Sequence, residues 1–347
     1  MLPIWIAVDA MGGDAAPAVV IEGVSELFRE DGLNSGLHIA LVGKEKEIVK
    51  ELRKYPNVPA EKIEIVNARE EISMKEHFFS YWRKREETSI QKAISLVRDK
   101  KAQAMVSAGH TGAVMALAKT VLGPLANIEK PALAIQVPTL KGHSLLVDVG
   151  ANADSKPRNL VQFALMGKVY LESVQGVRHP RIALMSMGEE ESKGNELTKT
   201  AHALLKQQDI DFIGNVEGKD VFRGEADLIV TDGFTGNITL KVSEGVVDAM
   251  LSMLKREIMS NLFSKVGFFF LKRSLKRIKK KLDYAEYGGA LLLGVNGIVI
   301  IGHGRSNAKA IKNAIRLSRS FIEERVLDKI AVEIGRIHYS PAELKYV

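Results

Sequence analysis

The sequence predicts an α/β protein, a three-layer α/β/α arrangement around a mostly parallel sheet with one protruding basic helical element, and three observations predict it. Short apolar runs of strand length alternate with longer segments of helical period along nearly the whole chain. Six of the short runs end in a glycine-bearing loop that leads straight into a helical segment. The 347 residues are 46% hydrophobic and 26% charged, a globular composition with enough apolar material for a sizeable core.

The elements follow in chain order. Ile4 to Val8 reads as a strand and Val19 to Arg29 as its helix; His38 to Val42 with Glu45 to Lys54, and Ala102 to Val106 with Gly112 to Thr120, repeat the unit. Leu145 to Val149 precedes a helix from about Arg158, Ile182 to Ser186 one from about Asn195, and Asp227 to Val230 one from about Asn237. Gly297 to Ile301 leads into a helix over roughly Ser306 to Val326. No flexible linker, low-complexity tract or internal repeat interrupts the series, which favours one continuous α/β unit over 1–335 with 336–347 as a peripheral tail.

Several classes of function are excluded early. The chain has no cysteine, so it has no disulfide scaffold, no zinc ribbon, no thiol nucleophile and no acyl group resting on an enzyme thiol. The apolar start Leu2 to Val8 is cut by Asp9, too short for a signal peptide. The longest mostly apolar stretch, Gly289 to Gly302, has 14 residues and contains Asn296, against the roughly 20 that a membrane-spanning helix needs.

The net charge of +7 is local. The window Lys255 to Lys281 holds ten Lys or Arg against Glu257 alone, so the rest of the chain sums to −2 and offers no general nucleic-acid surface. Leu271, Leu275, Ile278 and Leu282 recur at helical spacing behind the cluster Phe268, Phe269 and Phe270. The segment 255–285 therefore reads as a basic amphipathic helical element. A solvated surface helix is one reading; contact with an anionic membrane surface or acidic partner is the favoured one, carried by the three Phe with Lys272 and Arg273.

The six loops are Asp9 to Asp14, Ser107 to Gly112, Asp148 to Asp154, Met187 to Gly194, Thr231 to Asn237 and Gly302 to Ser306. In an open parallel sheet such loops are expected together at the carboxyl edge, where ligands bind. Glycine lets backbone N–H groups turn toward an anion at a helix start, which suggests a phosphate-type site. Other motifs are missing: Gly302-His-Gly-Arg-Ser-Asn307 has Asn at the third glycine position of a dinucleotide fingerprint, and no Walker A sequence occurs. The eight histidines have no metal-ligand spacing, so neither a metal nor a cofactor is expected. Ser107 and His110 invite a nucleophile-and-base reading, but without a nucleophile elbow.

At these loops the sequence resembles the bacterial acyl-carrier-protein:phosphate acyltransferases of phospholipid synthesis (PlsX). The matching stretches are IAVDAMGGDAAP at 6–17, SAGHTGA at 107–113, DVGANADSKP at 148–157, KGNELTK at 193–199, FIGNVEGKD at 212–220, TDGFTGNITLK at 231–241 and YGGALLLG at 287–294. The resemblance implies a cytoplasmic homodimer with a fold similar to the isocitrate and isopropylmalate dehydrogenases. It also implies transfer of a fatty acyl group from acyl carrier protein to inorganic phosphate, the product passing to a membrane glycerol-phosphate acyltransferase; the basic segment adds the expectation of peripheral membrane association. Many members have Asn where this chain has His110. The region Glu71 to Arg85, with Phe78, Phe79, Tyr81 and Trp82, departs from the family pattern.

Attack of phosphate on a thioester needs a held phosphate, a stabilised oxyanion and an outgoing thiolate. On that chemistry Lys193 and Asn237 are the expected catalytic residues. Gly12, Gly13, Thr111, Asn152 and Thr235 are expected to contact phosphate or substrate, and Asp9, Asp148 and Asp232 to orient lysines or loop amides. The alternatives are a phosphotransacetylase-like enzyme using acyl-CoA, a nicotinamide-dependent dehydrogenase of similar fold, and a non-enzymatic membrane-surface protein.

Overall fold

The structure, a computed structural model, describes residues 3–30, 36–73, 87–282 and 287–337. The aromatic cluster at 78–82 and the tail from 338 lie outside the described residues. The strands are β1 (Ile4–Asp9), β2 (Leu37–Gly43), β3 (Ile63–Asn67), β4 (Ala104–Ser107), β5 (Ala132–Thr139), β6 (Gly142–Val147), β7 (Ile182–Met185), β8 (Phe212–Val216), β9 (Leu228–Val230), β10 (Ala290–Leu293) and β11 (Ile298–Ile301). They form one sheet in the order β3-β2-β1-β4-β11-β10-β5-β6-β9-β7-β8.

Helices cover both faces. On one lie α1 (Ala18–Arg29), α2 (Glu45–Leu52), α5 (Pro157–Val174), α6 (Glu196–Leu205), α9 (Ala308–Glu323) and α10 (Val326–Ile334); on the other lie α3 (Ser89–Arg98), α4 (Thr111–Val121) and the start of α7 (Gly233–Ser260). Strand alternation feeds both: in β1, Ile6 and Val8 enter the first core and Ala7 the second. The long C-terminal helix expected to Val326 ends instead at Glu323, because Arg325 takes a left-handed conformation at φ 52 that no helix continues.

Most strand pairs are parallel, but β10 is antiparallel to both β11 and β5, and β5 is antiparallel to β6. These three reversals turn the second half of the sheet over. The carboxyl ends of β1, β4 and β11 therefore lie at one edge and those of β6, β9 and β7 at the opposite one. The expectation of all six glycine loops at a single carboxyl edge is corrected: they form two groups of three.

The basic segment belongs to a longer element than its charge suggested. α7 runs for 28 residues, roughly 42 Å, and meets α8 (Leu262–Leu282) at Asn261, whose side chain accepts from Ser264 N at 2.8 Å. No described side chain from 241 to 275 is buried, so the pair stands away from the body. Phe268 is half-buried, whereas Phe269 and Phe270 are 73% and 77% exposed; Lys272 and Arg273 are exposed.

Candidate active site

The first loop group is built around a buried carboxylate. Asp9 accepts from Met11 N at 3.1 Å and from the Ser107 hydroxyl at 2.6 Å, and Ser107 Oγ accepts in turn from Gly109 N at 3.0 Å. Burial pushes the Asp9 carboxyl above its ordinary range, with the hydrogen bonds pulling the other way. Asp14 N reaches Gly304 O at 2.8 Å and Gly302 N reaches Ser107 O at 2.8 Å, so the loops after β1, β4 and β11 are one unit. Gly12 sits where a Cβ would stand 2.6 Å from Gly109 N. His110 caps α4, its Nδ1 accepting from Ala113 N at 3.2 Å, and Thr111 opens the helix. Because Ser107 donates to Asp9 and His110 holds its own helix, no serine–histidine pair forms.

In the second group Asp148, fully buried, is the organiser. Its Oδ1 accepts from the N–H groups of Leu133, Gly150 and Ala151, and its Oδ2 accepts from Asn152 N and Nδ2, all at 2.9 to 3.1 Å. Burial raises this carboxyl while the hydrogen bonds from Ala151, Leu133, the Asn152 amide and Gly150 oppose the rise. Asn152 gives its other amide hydrogen to Pro131 O at 2.7 Å, so both its donors are used inside the protein. Asp232 caps α7, accepting from Phe234 N and Thr235 N, and takes the Thr235 hydroxyl at 2.8 Å. The helix begins at Gly233, four residues before the expected start, and Asn237 lies in its second turn. Gly236 can occur in this first turn because the Asp148 carbonyl packs where a Cβ would be.

Lys193 and Asn237 belong to this second edge. The Lys193 chain crosses Gly188, where a Cβ would meet Lys193 Cγ at 2.8 Å, and the following Gly194 has φ 112, which favours glycine. The second turn of α7 packs on the end of β7 through Thr239, beside the loop that carries Lys193. Both side chains are exposed. Among the described residues Lys193 has no carboxylate partner and Asn237 no side-chain hydrogen bond, so each can donate to an incoming anion.

α7 connects the two groups. It leaves the second edge, packs Leu240 on the core that also seats α4, and brings Lys241 and Glu244 close enough for their charges to act on His303 in the first group. His303 is held below its ordinary range by burial and then by Arg305, and its Nδ1 accepts from Arg305 N at 3.1 Å. Lys241, Glu244, His303 and Arg305 were not singled out as site residues by sequence, although Gly302 to Ser306 was one of the six loops. No group of three or more metal-ligating side chains gathers among the described residues.

A family model described as "Fatty acid synthesis protein" matches residues 4–329. A curated relative from Thermodesulfovibrio yellowstonii, named phosphate acyltransferase, is 49% identical over 95% of this chain and 94% of its own. Among solved structures, a phosphotransacetylase from Streptococcus pyogenes aligns over 92% of this chain and 94% of its own with a TM-score of 0.58 at 18% identity. A 4-hydroxythreonine-4-phosphate dehydrogenase from Klebsiella pneumoniae aligns over 91% and 97% with a TM-score of 0.50 at 14% identity, so both share the fold alone.

Proposed function

The chain belongs to the fatty acid synthesis protein family, in which it is an acyltransferase of the phosphate acyltransferase type, and from that membership we propose that it moves a fatty acyl group from acyl carrier protein to inorganic phosphate. The observation that supports the reading is a pair of uncommitted donors, Lys193 and Asn237, on the loops that follow the neighbouring strands β7 and β9.

The chemistry asks for little more. Inorganic phosphate is already an anion at neutral pH, its second ionisation lying near that of a phosphomonoester at about 6 to 7, so it attacks the thioester carbonyl without a strong base. Lys193 neutralises phosphate or the developing oxyanion and Asn237 donates to the same centre. Collapse of the tetrahedral intermediate expels the thiol of the carrier, whose pKa of about 8.5 makes the thiolate a good leaving group. Asp148 and Asp232 orient the loops behind these donors, and Asp9 does so at the other edge. Thr235, its hydroxyl hydrogen given to Asp232, flanks these donors, whereas Gly12, Gly13 and Thr111 lie at the other edge and would meet a part of the acyl-carrier substrate remote from the phosphate. Asn152 acts from behind, since its amide hydrogens already serve Pro131 and Asp148.

The same reading extends to the surroundings of the reaction. Val242, Val246 and Met250 are exposed at intervals of one helical turn along α7, an unpartnered stripe that fits pairing with a second copy of the chain. The basic helical element fits reversible contact with an anionic leaflet, which would release acyl-phosphate near a membrane acyltransferase on the cytoplasmic side. No described helix is long and apolar enough to cross a membrane.

The test is incubation of the pure protein with long-chain acyl carrier protein, with and without phosphate, measuring free thiol and acyl-phosphate together. Phosphate-dependent, equimolar appearance of both is expected. Thiol release without phosphate would mean hydrolysis, and preference for acyl-CoA in a competition would reassign the donor.

A further inference from the structure

Beneath the loop that carries Lys193 lies a buried polar pair that the reaction described above does not use. His202 of α6 and Asn215 of β8 are 6% and 8% exposed, and His202 Nδ1 lies 2.9 Å from Asn215 Oδ1. Asn215 Nδ2 donates to the carbonyl of Glu190 at 3.1 Å, and that same carbonyl accepts from Lys193 N at 2.9 Å. The chain of contacts thus runs from the imidazole through one amide and one carbonyl to the backbone of Lys193.

The direction of each hydrogen bond is fixed by its neighbours. A carbonyl oxygen only accepts, so the Asn215 group facing Glu190 must be the NH₂ and the group facing His202 must be the oxygen. His202 therefore carries a proton on Nδ1. Its Nε2 looks toward Glu191, 3.5 Å away, and Glu191 is held at 2.7 Å by Lys206, which caps the end of α6; the Phe212 ring of β8 packs edge-on against the imidazole. The rest of the loop is held only at its surface: Ser186 Oγ reaches Lys193 O at 3.4 Å, the exposed Lys219 lies 3.7 Å from Glu189, and Glu189 to Lys193 are exposed. An exposed turn with so few contacts samples several positions unless something buried fixes it. Here the buried pair grips the one carbonyl that closes the turn over Glu190 to Lys193.

We propose that His202 and Asn215 are positioning residues that hold the Glu190–Lys193 turn so that the Lys193 ammonium is aimed at the reacting phosphate. The proposal rests on Lys193 being catalytic, and the two ideas can fail separately. Phosphate-dependent cleavage of long-chain acyl carrier protein is measured for Lys193→Ala, Asn215→Ala, His202→Ala, His202→Asn and the double variant Asn215→Ala/Lys193→Ala, with the melting temperature of each. An aim lost by an ångström is a matter of roughly a hundredfold in rate, so folded Asn215→Ala should lose about tenfold to a hundredfold in kcat. His202→Ala should also lose rate, and His202→Asn should recover most of it, because the Asn amide places a donor where Nδ1–H was. The double variant should be no slower than Lys193→Ala, since a relay acting only through Lys193 has nothing left to aim. A folded Asn215→Ala with unchanged kcat, a double variant slowed by the product of both losses, or equal rates for His202→Ala and His202→Asn would overturn the relay; the last comparison decides it if Asn215→Ala does not fold. Near-normal turnover of Lys193→Ala would instead remove the catalytic reading of Lys193.

Discussion

Ser107 donates its hydroxyl to Asp9 across 2.6 Å, and both residues are buried at the meeting of β1 and β4. A carboxyl in that position binds its proton more tightly than it would in water, since burial raises its folded-state pKa above 3.8. From about pH 3.8 upward the native state holds a proton that the unfolded chain has released. Stability therefore falls as pH rises from there through the folded value and levels off above it. Asp9→Asn removes the titration, while Asp148, raised in the same direction, is common to both proteins and cancels in the difference. The melting temperature of the native protein should decline relative to Asp9→Asn as pH rises above about 4, and parallel curves would refute the assignment.

The five donors on Asp148 make it the most consequential single carboxylate of the second edge. Truncation in Asp148→Ala leaves four backbone N–H groups and the Asn152 amide without their acceptor in a buried loop. Each stranded buried donor costs about 1 to 3 kcal/mol, so the variant should melt far below the native protein or fail to accumulate. A melting temperature within a few degrees of native would mean that water enters the loop and replaces the carboxylate.

Lys193→Ala and Asn237→Ala should fold and lose most turnover. Both side chains are exposed and their removal leaves no cavity. Loss of one oxyanion donor commonly lowers rate by roughly 100-fold to 1,000-fold. Normal activity in both, in the phosphate-dependent thiol-release assay, would move the reacting centre to the other edge, near His303 and Lys241.

His110→Asn should keep substantial activity, for a reason visible in the cap of α4. The imidazole uses Nδ1 to accept from Ala113 N, and Asn is among the best residues for that role. His110→Leu removes the acceptor and should lower stability by about 1 kcal/mol. Loss of turnover in folded His110→Asn as deep as that of Lys193→Ala would make the imidazole itself catalytic.

Much of this arrangement was legible in the sequence because parallel strand–loop–helix units have a strong local pattern. β1, β2, β4, β6, β7, β9 and β11 were recognisable as apolar runs feeding glycine loops or helices. β5 and β10 were not, since they are joined antiparallel to their neighbours and lack a helix of their own. Without these two strands the sequence does not show the reversal of the sheet, nor the separation of Gly12, Gly13 and Thr111 from Lys193 and Asn237. β3 and β8 lie at the sheet margins, where partial exposure and Gly214 weaken the apolar signal. The sequence points to a later start of α7 because Gly233 and Gly236 resemble turn residues, whereas they are glycine so that the helix can close on Asp148 and Asn152. His202 carries no sequence signal of its function; only the fold brings it to Asn215.

The α7–α8 pair should bind anionic vesicles reversibly. Its second helix presents Phe263, 91% exposed, near the junction at Asn261, and Phe269 and Phe270 next to Lys272 and Arg273. Phe268 is half-buried, so it contributes less to insertion than its two neighbours. Each Lys or Arg near an anionic leaflet contributes about 1 kcal/mol, and a few engaged cations with inserted Phe side chains give an attachment that salt can release, because exposed charges are screened over about 10 Å at 0.1 M. Sedimentation with neutral and anionic vesicles should therefore show binding to the anionic ones, weakened by salt and by changing Phe263, Phe269 and Phe270 to Ser. The same variant should keep its activity on soluble substrate, since these α8 residues lie beyond the turns of α7 that carry Asn237 and Thr239. Equal sedimentation of native and variant proteins, or no preference for anionic lipid, would assign the basic helix to solvent and the exposed aromatic side chains to another partner.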